Sequence, residues 1–169
     1  KKYNIWATYS WSKVTRDDGV QEYYPFFDRR HNINIVASYY WGKKNEWEAS
    51  IRWNFGSGFP FTQTQAYFPN IPFTDPVTGN PVVDSDYTTQ NGQPGVLYGT
   101  LNGGRLPSYH RFDASVKRLF ELRNKQKLEI TAGATNLYNR ENIFYYDRVN
   151  AQRINQLPIM PTVSIAYTF

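Results

Sequence analysis

Three residues whose types can do chemistry stand close together in the middle of the chain. Ser108, His110 and Asp113 are the types of a nucleophile, a base and an orienting carboxylate, and a catalytic relay needs all three side chains in contact. The sequence around them alternates apolar and polar residues, which is typical of a strand, and neighbouring side chains of a strand point to opposite faces. Residues 108 and 110 then share one face, while residue 113 lies on the other. We therefore expect no Ser-His-Asp relay and no enzyme.

Metal ligands are also sparse. His31 and His110 are the two histidines, and a pair of histidines without clustered partners makes a poor metal site. We interpret both as residues at the ends of strands. Three acids, Asp75, Asp84 and Asp86, share one loop-like segment, but their spacing does not match the calcium-binding loop of an EF-hand. The chain contains no cysteine, which excludes disulfides and thiolate ligands, and we expect neither a metal nor a cofactor.

Composition bounds the class of protein. The net charge of +5 comes from 19 basic and 14 acidic residues, and no basic helix or basic-aromatic stripe predicts a nucleic-acid partner. No apolar run approaches the roughly 18 residues of a membrane helix. Aromatic residues make up 18% of the chain, which fits strands and the belts of aromatic side chains at membrane interfaces.

Alternation of apolar and polar residues predicts the strands. It favours a hairpin over a helix even in the segment 115–129, which is rich in good helix formers. In one strand, for example, Trp47, Ala49 and Ile51 alternate with Glu48 and Ser50. The predicted strands cover about 3–14, 31–41, 47–56, 109–120, 127–137 and 159–169.

The connections between these strands alternate in length. Short ones at 42–46 and 121–126 contrast with long ones at about 15–30, 57–108 and 138–158. Short turns at one end and long loops at the other are typical of an outer-membrane β-barrel, and strands of about ten residues match its apolar band of about 25 Å. We predict an all-β, antiparallel, up-and-down meander with a polar inward face.

Hairpin geometry predicts cross-strand pairs. In the first hairpin Trp41 should lie opposite Trp47, and in the second Lys117 should lie opposite Glu129. The second pair would be an ion pair worth about 0.2–1 kcal/mol in solvent. Arg118 is a misfit, because alternation places it on the apolar side.

Several motifs occur in an order similar to that of a known family. Asp28-Arg29-Arg30-His31 opens the second predicted strand, and Gly56-Ser57-Gly58-Phe59-Pro60-Phe61-Thr62 follows the third. The stretch GGRLPSYHRFDASVKRLF, the segment ATNLYN and the final TVSIAYTF come later. Together they resemble the C-terminal part of the barrel of TonB-dependent outer-membrane receptors, especially those of Bacteroidota.

This resemblance implies a function and a set of partners. Barrels of this family have about 22 strands with a plug inside, so the resemblance implies that the chain is the C-terminal fragment of a longer barrel or one piece completed by other chains. The sequence starts without an initiator Met just before a predicted strand, and we interpret residue 1 as a cut. The implied partners are outer-membrane lipid, the remainder of the barrel and its plug, TonB acting through an N-terminal part, and the barrel assembly machinery. The implied function is active uptake of a large, scarce nutrient (a siderophore, cobalamin, glycan or peptide) at the cell outer membrane.

Two alternatives remain open. One is a passive porin or the barrel scaffold of an outer-membrane complex. The other is a soluble β-sandwich that binds a ligand, in which the apolar faces of the strands would be buried against a second sheet.

The resemblance and the alternation together assign roles to four sets of residues. The implied assembly signal is the terminal Phe169 with Val163, Ile165 and Tyr167. The residues predicted to face the lumen, where they contact the plug or the passing substrate, are Asn34, Arg52, Asn54, Asp113, Lys117 and Glu129. The predicted interfacial aromatic girdle is Tyr39, Trp41 and Trp47. The candidate extracellular ligand contacts, which equally suit packing of the loop on itself, are Tyr67, Phe68, Phe73, Tyr87 and Tyr98.

Overall fold

The chain folds into antiparallel β-sheets. The structure is a computed structural model that describes residues 2–70, 77, 93–122, 126–147 and 152–169. Within these ranges every regular element is a strand, and the helix considered for 115–129 does not form. The six long strands are β1 (Tyr3–Trp11), β2 (His31–Trp41), β3 (Trp47–Gly56), β4 (Tyr109–Glu121), β5 (Lys127–Thr135) and β6 (Met160–Thr168).

These six strands form one sheet in which spatial order follows chain order. The predicted ranges of β2 and β3 agree with the structure at both ends. The first strand was predicted to reach residue 14 but ends at Trp11, and the fifth was predicted to reach residue 137 but ends at Thr135. The sheet is open, because β1 and β6 each have a single neighbouring strand within the described residues.

The long connections contain short paired strands of their own, which alternation did not predict. Each connection leaves the same end of the sheet, called here the loop end, and the opposite end is the turn end. The paired segments are Arg16–Asp17 with Glu22–Tyr23, Pro60–Phe61 with Gly104–Arg105, Thr64–Asn70 with Gln93–Tyr98, and Ile143–Asp147 with Gln152–Asn155.

The turn between β2 and β3 is set by its backbone. Gly42 has a φ of 100° and Asn45 a φ of 56°, and the left-handed region favours these two residue types. Glu46 fixes the turn further, since its carboxylate accepts a hydrogen bond of 2.9 Å from the Lys44 backbone N–H. The predicted register follows from this turn, and Trp41 lies opposite Trp47.

The predicted register of the β4–β5 hairpin is wrong by two residues. Lys117 lies opposite Thr131, and Leu119 lies opposite Glu129. The Leu122 N–H donates to the Gln126 carbonyl at 2.8 Å and closes the hairpin further along than expected. A slip of two residues leaves every side chain on its original face, so alternation does not distinguish the two registers.

The sheet has two chemically different faces. The aromatic face consists of the odd-numbered residues of β1, β2, β3 and β6 and the even-numbered residues of β4 and β5; the polar face consists of the other residues of these strands. The aromatic face is uncovered: Ile5 is 66% exposed, and Ile165 is 67% exposed. Among the described residues no apolar side chain is buried. The sheet therefore has no hydrophobic core of its own.

Candidate functional site

All six residues predicted to line an interior lie on the polar face of the sheet. Two of them, Asn34 and Asn54, face each other across β2 and β3 and are joined by an amide hydrogen bond. Asn34 also donates to the Thr8 hydroxyl at 3.4 Å, and the Ser38 and Ser50 hydroxyls lie 3.0 Å apart. Polar side chains thus form continuous rows across β1, β2 and β3.

Lys117 has a different partner from the one predicted. Its Nζ lies 2.7 Å from Glu48 Oε2 on β3, directly opposite in the ladder, whereas Glu129 lies opposite Leu119. Tyr40 donates to Glu48 Oε1 at 3.1 Å. The predicted pair with Glu129 is therefore wrong, because it depended on the incorrect β4–β5 register.

A shallow cavity of about 450 Å³ lies over the middle of the polar face, and its lining includes Arg52, Asp113 and Thr131. Arg52 and Asp113 are opposite each other in the ladder, yet the ion pair of Asp113 is with Arg111, at 2.9 Å. Within the described part of the chain Arg52 has no ion-pair partner. The cavity is thus lined by the unpaired guanidinium of Arg52 and by Asp113, whose charge is neutralised by Arg111.

The most buried charge lies at the loop end. Asp28 is 1% exposed, and its carboxylate accepts hydrogen bonds from Arg105, from Arg30 Nε at 3.0 Å and from the Val14 backbone N–H at 2.9 Å. Arg105 also donates to the Gly58 carbonyl at 3.2 Å. Burial raises the pKa of Asp28, but these hydrogen bonds and the attraction to Arg105 outweigh it and lower the pKa below its ordinary value. This carboxylate ties two of the long connections to each other.

Two buried asparagines tie the third long connection to the sheet. The Asn142 side-chain amide accepts from the His110 N–H at 3.1 Å and donates to the His110 carbonyl at 2.9 Å, as a neighbouring strand would. The Asn136 side chain donates to the Arg140 carbonyl at 2.9 Å. The Asn136 backbone N–H donates to Asp113 at 2.9 Å. The ATNLYN segment therefore has a structural role that the sequence did not reveal.

Among the described residues each histidine contacts a tyrosine hydroxyl. His31 Nδ1 lies 2.9 Å from the Tyr9 hydroxyl, and His110 Nδ1 lies 2.6 Å from the Tyr138 hydroxyl. His110 belongs to the aromatic face and Asp113 to the polar face, so the relay considered with Ser108 does not form. No group of three or more potential metal ligands occurs within the residues that the structure describes.

Aromatic side chains of the predicted girdle contact one another at the turn end. The rings of Tyr39 and Trp41 lie 6.0 Å apart, and those of Trp41 and Trp47 lie 5.8 Å apart. Arg118, the misfit of the aromatic face, places its guanidinium 4.7 Å from the Trp47 ring and 4.4 Å from the Phe120 ring. The rings thus cover this cation through cation–π contacts.

The candidate ligand contacts fall into two groups. Tyr67, Phe68 and Tyr98 lie in the paired segments Thr64–Asn70 and Gln93–Tyr98, each about half exposed. Tyr67 also borders an open cavity of about 520 Å³. The other two residues, Phe73 and Tyr87, lie outside the described residues.

The residues of the implied assembly signal lie along and just beyond β6. Val163, Ile165 and Tyr167 lie on its aromatic face. Phe169 follows the strand, is 97% exposed and lies with its ring 6.3 Å from that of Tyr167.

Comparison of the chain with protein-family models, curated proteins and solved structures found no match. In the part of the chain that the structure describes, no helix is long and apolar enough to cross a membrane.

Proposed function

We propose that the chain forms part of the barrel of a TonB-dependent outer-membrane receptor, as its last six strands. One observation carries this proposal: the aromatic face is broad and uncovered, and no described apolar side chain is buried. A soluble monomer rarely exposes such a continuous apolar surface, because water penalises it by about 25 cal/mol per Å². A lipid bilayer removes that penalty.

The distribution of residue types on the aromatic face supports a bilayer over a second sheet. Along β2 the aromatic face runs from Ile35 and Ala37 in the middle to Tyr39 and Trp41 at the turn end. Aromatic residues also lie near the loop end, where Phe55 is the last residue of β3 on the aromatic face. Two aromatic belts around an aliphatic band are the pattern of a membrane-spanning barrel wall. A buried sandwich face has no reason to sort its side chains in this way.

The open edges support membership of a larger barrel. In lipid, each unpaired backbone group of β1 or β6 would cost several kcal/mol. Six strands are too few for a spanning barrel, whose minimum is about eight. The proposal therefore includes further strands on both sides, supplied by the rest of the protein, and a plug against the polar face.

The proposed activity is uptake of a large, scarce nutrient across the outer membrane. The long connections would meet the nutrient outside the cell, the polar face would line its route, and TonB would act on the plug. A passive porin or a barrel scaffold would share the membrane wall but would not require energy. The receptor and the passive barrel therefore differ in whether uptake depends on the proton-motive force.

The membrane location is tested with single-cysteine spin labels, which are unambiguous because the chain has no cysteine of its own. Labels at Ile35 and Ile51 should collide with oxygen dissolved in lipid, while labels at Asn34 and Ser50 should collide with a water-soluble nickel chelate. Asn34 and Ile35 are adjacent on β2, and Ser50 and Ile51 are adjacent on β3. Each adjacent pair therefore compares the two faces at matched depth. Equal accessibility of the two faces to both reagents would contradict a membrane wall.

Energy dependence is tested by uptake into cells that carry the full-length protein. Labelled ferric siderophore, cobalamin and oligosaccharide are supplied in turn, with and without a proton-motive-force uncoupler. A receptor should lose uptake of its nutrient in the uncoupled cells and in cells lacking TonB. Flux that persists under both conditions would favour the porin.

A further inference from the structure

Arg29 differs from Arg30, Arg105 and Arg111, the arginines near it that form ion pairs. Arg30 and Arg105 share the buried carboxylate of Asp28, and Arg111 pairs with Asp113. The Arg29 guanidinium has no ion pair and donates no hydrogen bond within the described residues, and its Nε is buried without a partner. An unpaired cation in a half-buried position is costly unless a ligand completes it.

The surroundings of Arg29 hold its guanidinium in one place. Its central carbon lies 4.2 Å from the centre of the Phe59 ring and 5.8 Å from that of Tyr109. The group lies over Gly56, where a Cβ would overlap it. Gly56 and Tyr109 are opposite each other in the ladder and both belong to the polar face. Arg29 therefore reaches over the loop end of the polar face.

This geometry suits recognition of an oxyanion. Aromatic rings beside a guanidinium contact its flat faces and leave the in-plane N–H groups available. Those N–H groups form a fork that matches the two oxygens of a carboxylate or phosphate. Burial lowers the pKa of Arg29, while interaction with Tyr109 opposes the change; a guanidinium nevertheless remains charged at every physiological pH.

The wider charge pattern points in the same direction. On the same polar face Arg52 also has no ion-pair partner among the described residues, although Asp113 lies opposite it in the ladder. Unpaired cations attract anions toward this face. We propose that Arg29, with Tyr109 beside it, anchors a binding site for a small molecule that bears a carboxylate or phosphate group.

The inference deepens the proposed function, on which it rests, by naming an anionic class of transported nutrient. It is tested by calorimetric titration of the full-length protein in detergent, with citrate in one arm and inorganic phosphate in the other. At least one of the two should bind saturably. Arg29→Gln should weaken that binding at least about tenfold, because a charge-assisted, two-pronged hydrogen bond is lost. The tighter of the two probes identifies the oxyanion.

Three further variants make the test decisive. Arg118→Gln is the matched control, since Arg118 also lies between two rings but on the aromatic face at the turn end; its binding should stay within about twofold of wild type. Arg29→Lys keeps the charge but not the fork and should bind at an intermediate level, which covers the case that Arg29→Gln does not fold. Tyr109→Phe keeps the ring and should weaken binding only slightly.

Failure of this inference is separable from failure of the proposed function. Wild-type protein that binds neither probe, or Arg29→Gln that binds as tightly as wild type, would overturn the anion site. Either result leaves the spin-label experiment on the two faces unaffected. Conversely, the labels on both faces could prove equally accessible to oxygen and to the nickel chelate while citrate binding depends on Arg29. That result would support the anion site and contradict the membrane wall.

Discussion

At the scale of single residues, the buried carboxylate of Asp28 organises the loop end. It accepts from two guanidiniums and one backbone N–H while remaining 1% exposed. A buried charge of this kind is tolerated only when every partner is in place. Its partners come from segments far apart in the chain, so their spacing in the sequence gives no sign of the cluster.

Replacing Asp28 by asparagine should lower the free energy of unfolding by about 3 kcal/mol, because two partly buried cations lose their counterion. Urea unfolding in detergent micelles, followed by tryptophan fluorescence, measures the change. Glu22→Gln, at an exposed position in a loop hairpin, is the control and should change stability by less than about 0.5 kcal/mol. Equal stability of the two variants would show that the cluster contributes nothing.

The lowered pKa of Asp28 also predicts a dependence of stability on pH. In the unfolded chain this group titrates near its ordinary value of 3.8, and in the folded chain it titrates below that value. The unfolded state therefore binds the proton first as pH falls. The contribution of the Asp28 carboxylate to the free energy of unfolding should be complete above about pH 5. It should decline as pH falls from about 4 through the folded-state pKa. Plotted against pH, the free energies of unfolding of wild type and Asp28→Asn should converge over this acidic range. A constant difference between them would contradict a lowered pKa of Asp28.

At the scale of strands, one-residue alternation separates two chemical environments. Ile35 and Val36 are adjacent and β-branched, yet Ile35 belongs to the aromatic face and Val36 to the polar face opposite Arg52. Composition alone does not predict different tolerance at the two positions, whereas the sheet does.

If the aromatic face meets lipid, as proposed, Ile35→Arg should raise the free energy of membrane assembly by about 2–4 kcal/mol, because a charge near the middle of the strand would be desolvated. Val36→Arg should raise it less, since the polar face would then be hydrated, although repulsion from Arg52 adds a few tenths of a kcal/mol. The fraction of protein that runs as heat-modifiable barrel on gels reports both effects. Comparable defects in the two variants would contradict the assignment of faces.

The corrected register of the β4–β5 hairpin is open to a direct chemical test. Cysteines at positions 117 and 131 lie directly opposite each other, within the separation that a disulfide spans. Oxidation should crosslink this pair, while cysteines at 117 and 129 are diagonal neighbours about 7–8 Å apart and should crosslink poorly. Mobility on non-reducing gels after limited proteolysis distinguishes them. Preferential crosslinking of the second pair would restore the register expected from the sequence.

At the scale of the whole molecule, the described sheet leaves its apolar face uncovered and the outward-facing backbone groups of its two edge strands unpaired. No described apolar side chain is buried, and β1 and β6 each have a single neighbour among the described strands. In a soluble sandwich a second sheet would cover the apolar face. In a barrel, lipid would cover that face and neighbouring strands would pair with both edges.

We therefore expect the chain to need detergent or lipid. In aqueous buffer it should aggregate, and the full-length protein should elute as a defined species from size-exclusion chromatography with light scattering in a mild detergent. The uncovered face is the physical cause. A monodisperse, folded monomer in buffer would instead favour the sandwich alternative.

The sequence by itself determined the class of structure and the two faces. Strict alternation predicts strands and their inner and outer residues, because the side-chain period of a strand is two. The short connection at 42–46 also predicted the β2–β3 register, and in the structure Gly42 and Asn45 form the turn there. All six predicted polar-face residues lie on one face for the same reason.

Only the tertiary structure decided the register of β4 and β5, the partner of Lys117 and the cluster around Asp28. A two-residue slip is invisible to alternation because it preserves both faces. The ion pair of Lys117 with Glu48 and the contacts of Arg29 join residues that are distant in the chain. Such contacts depend on where the strands and loops meet in space, and local patterns of residues do not encode that information.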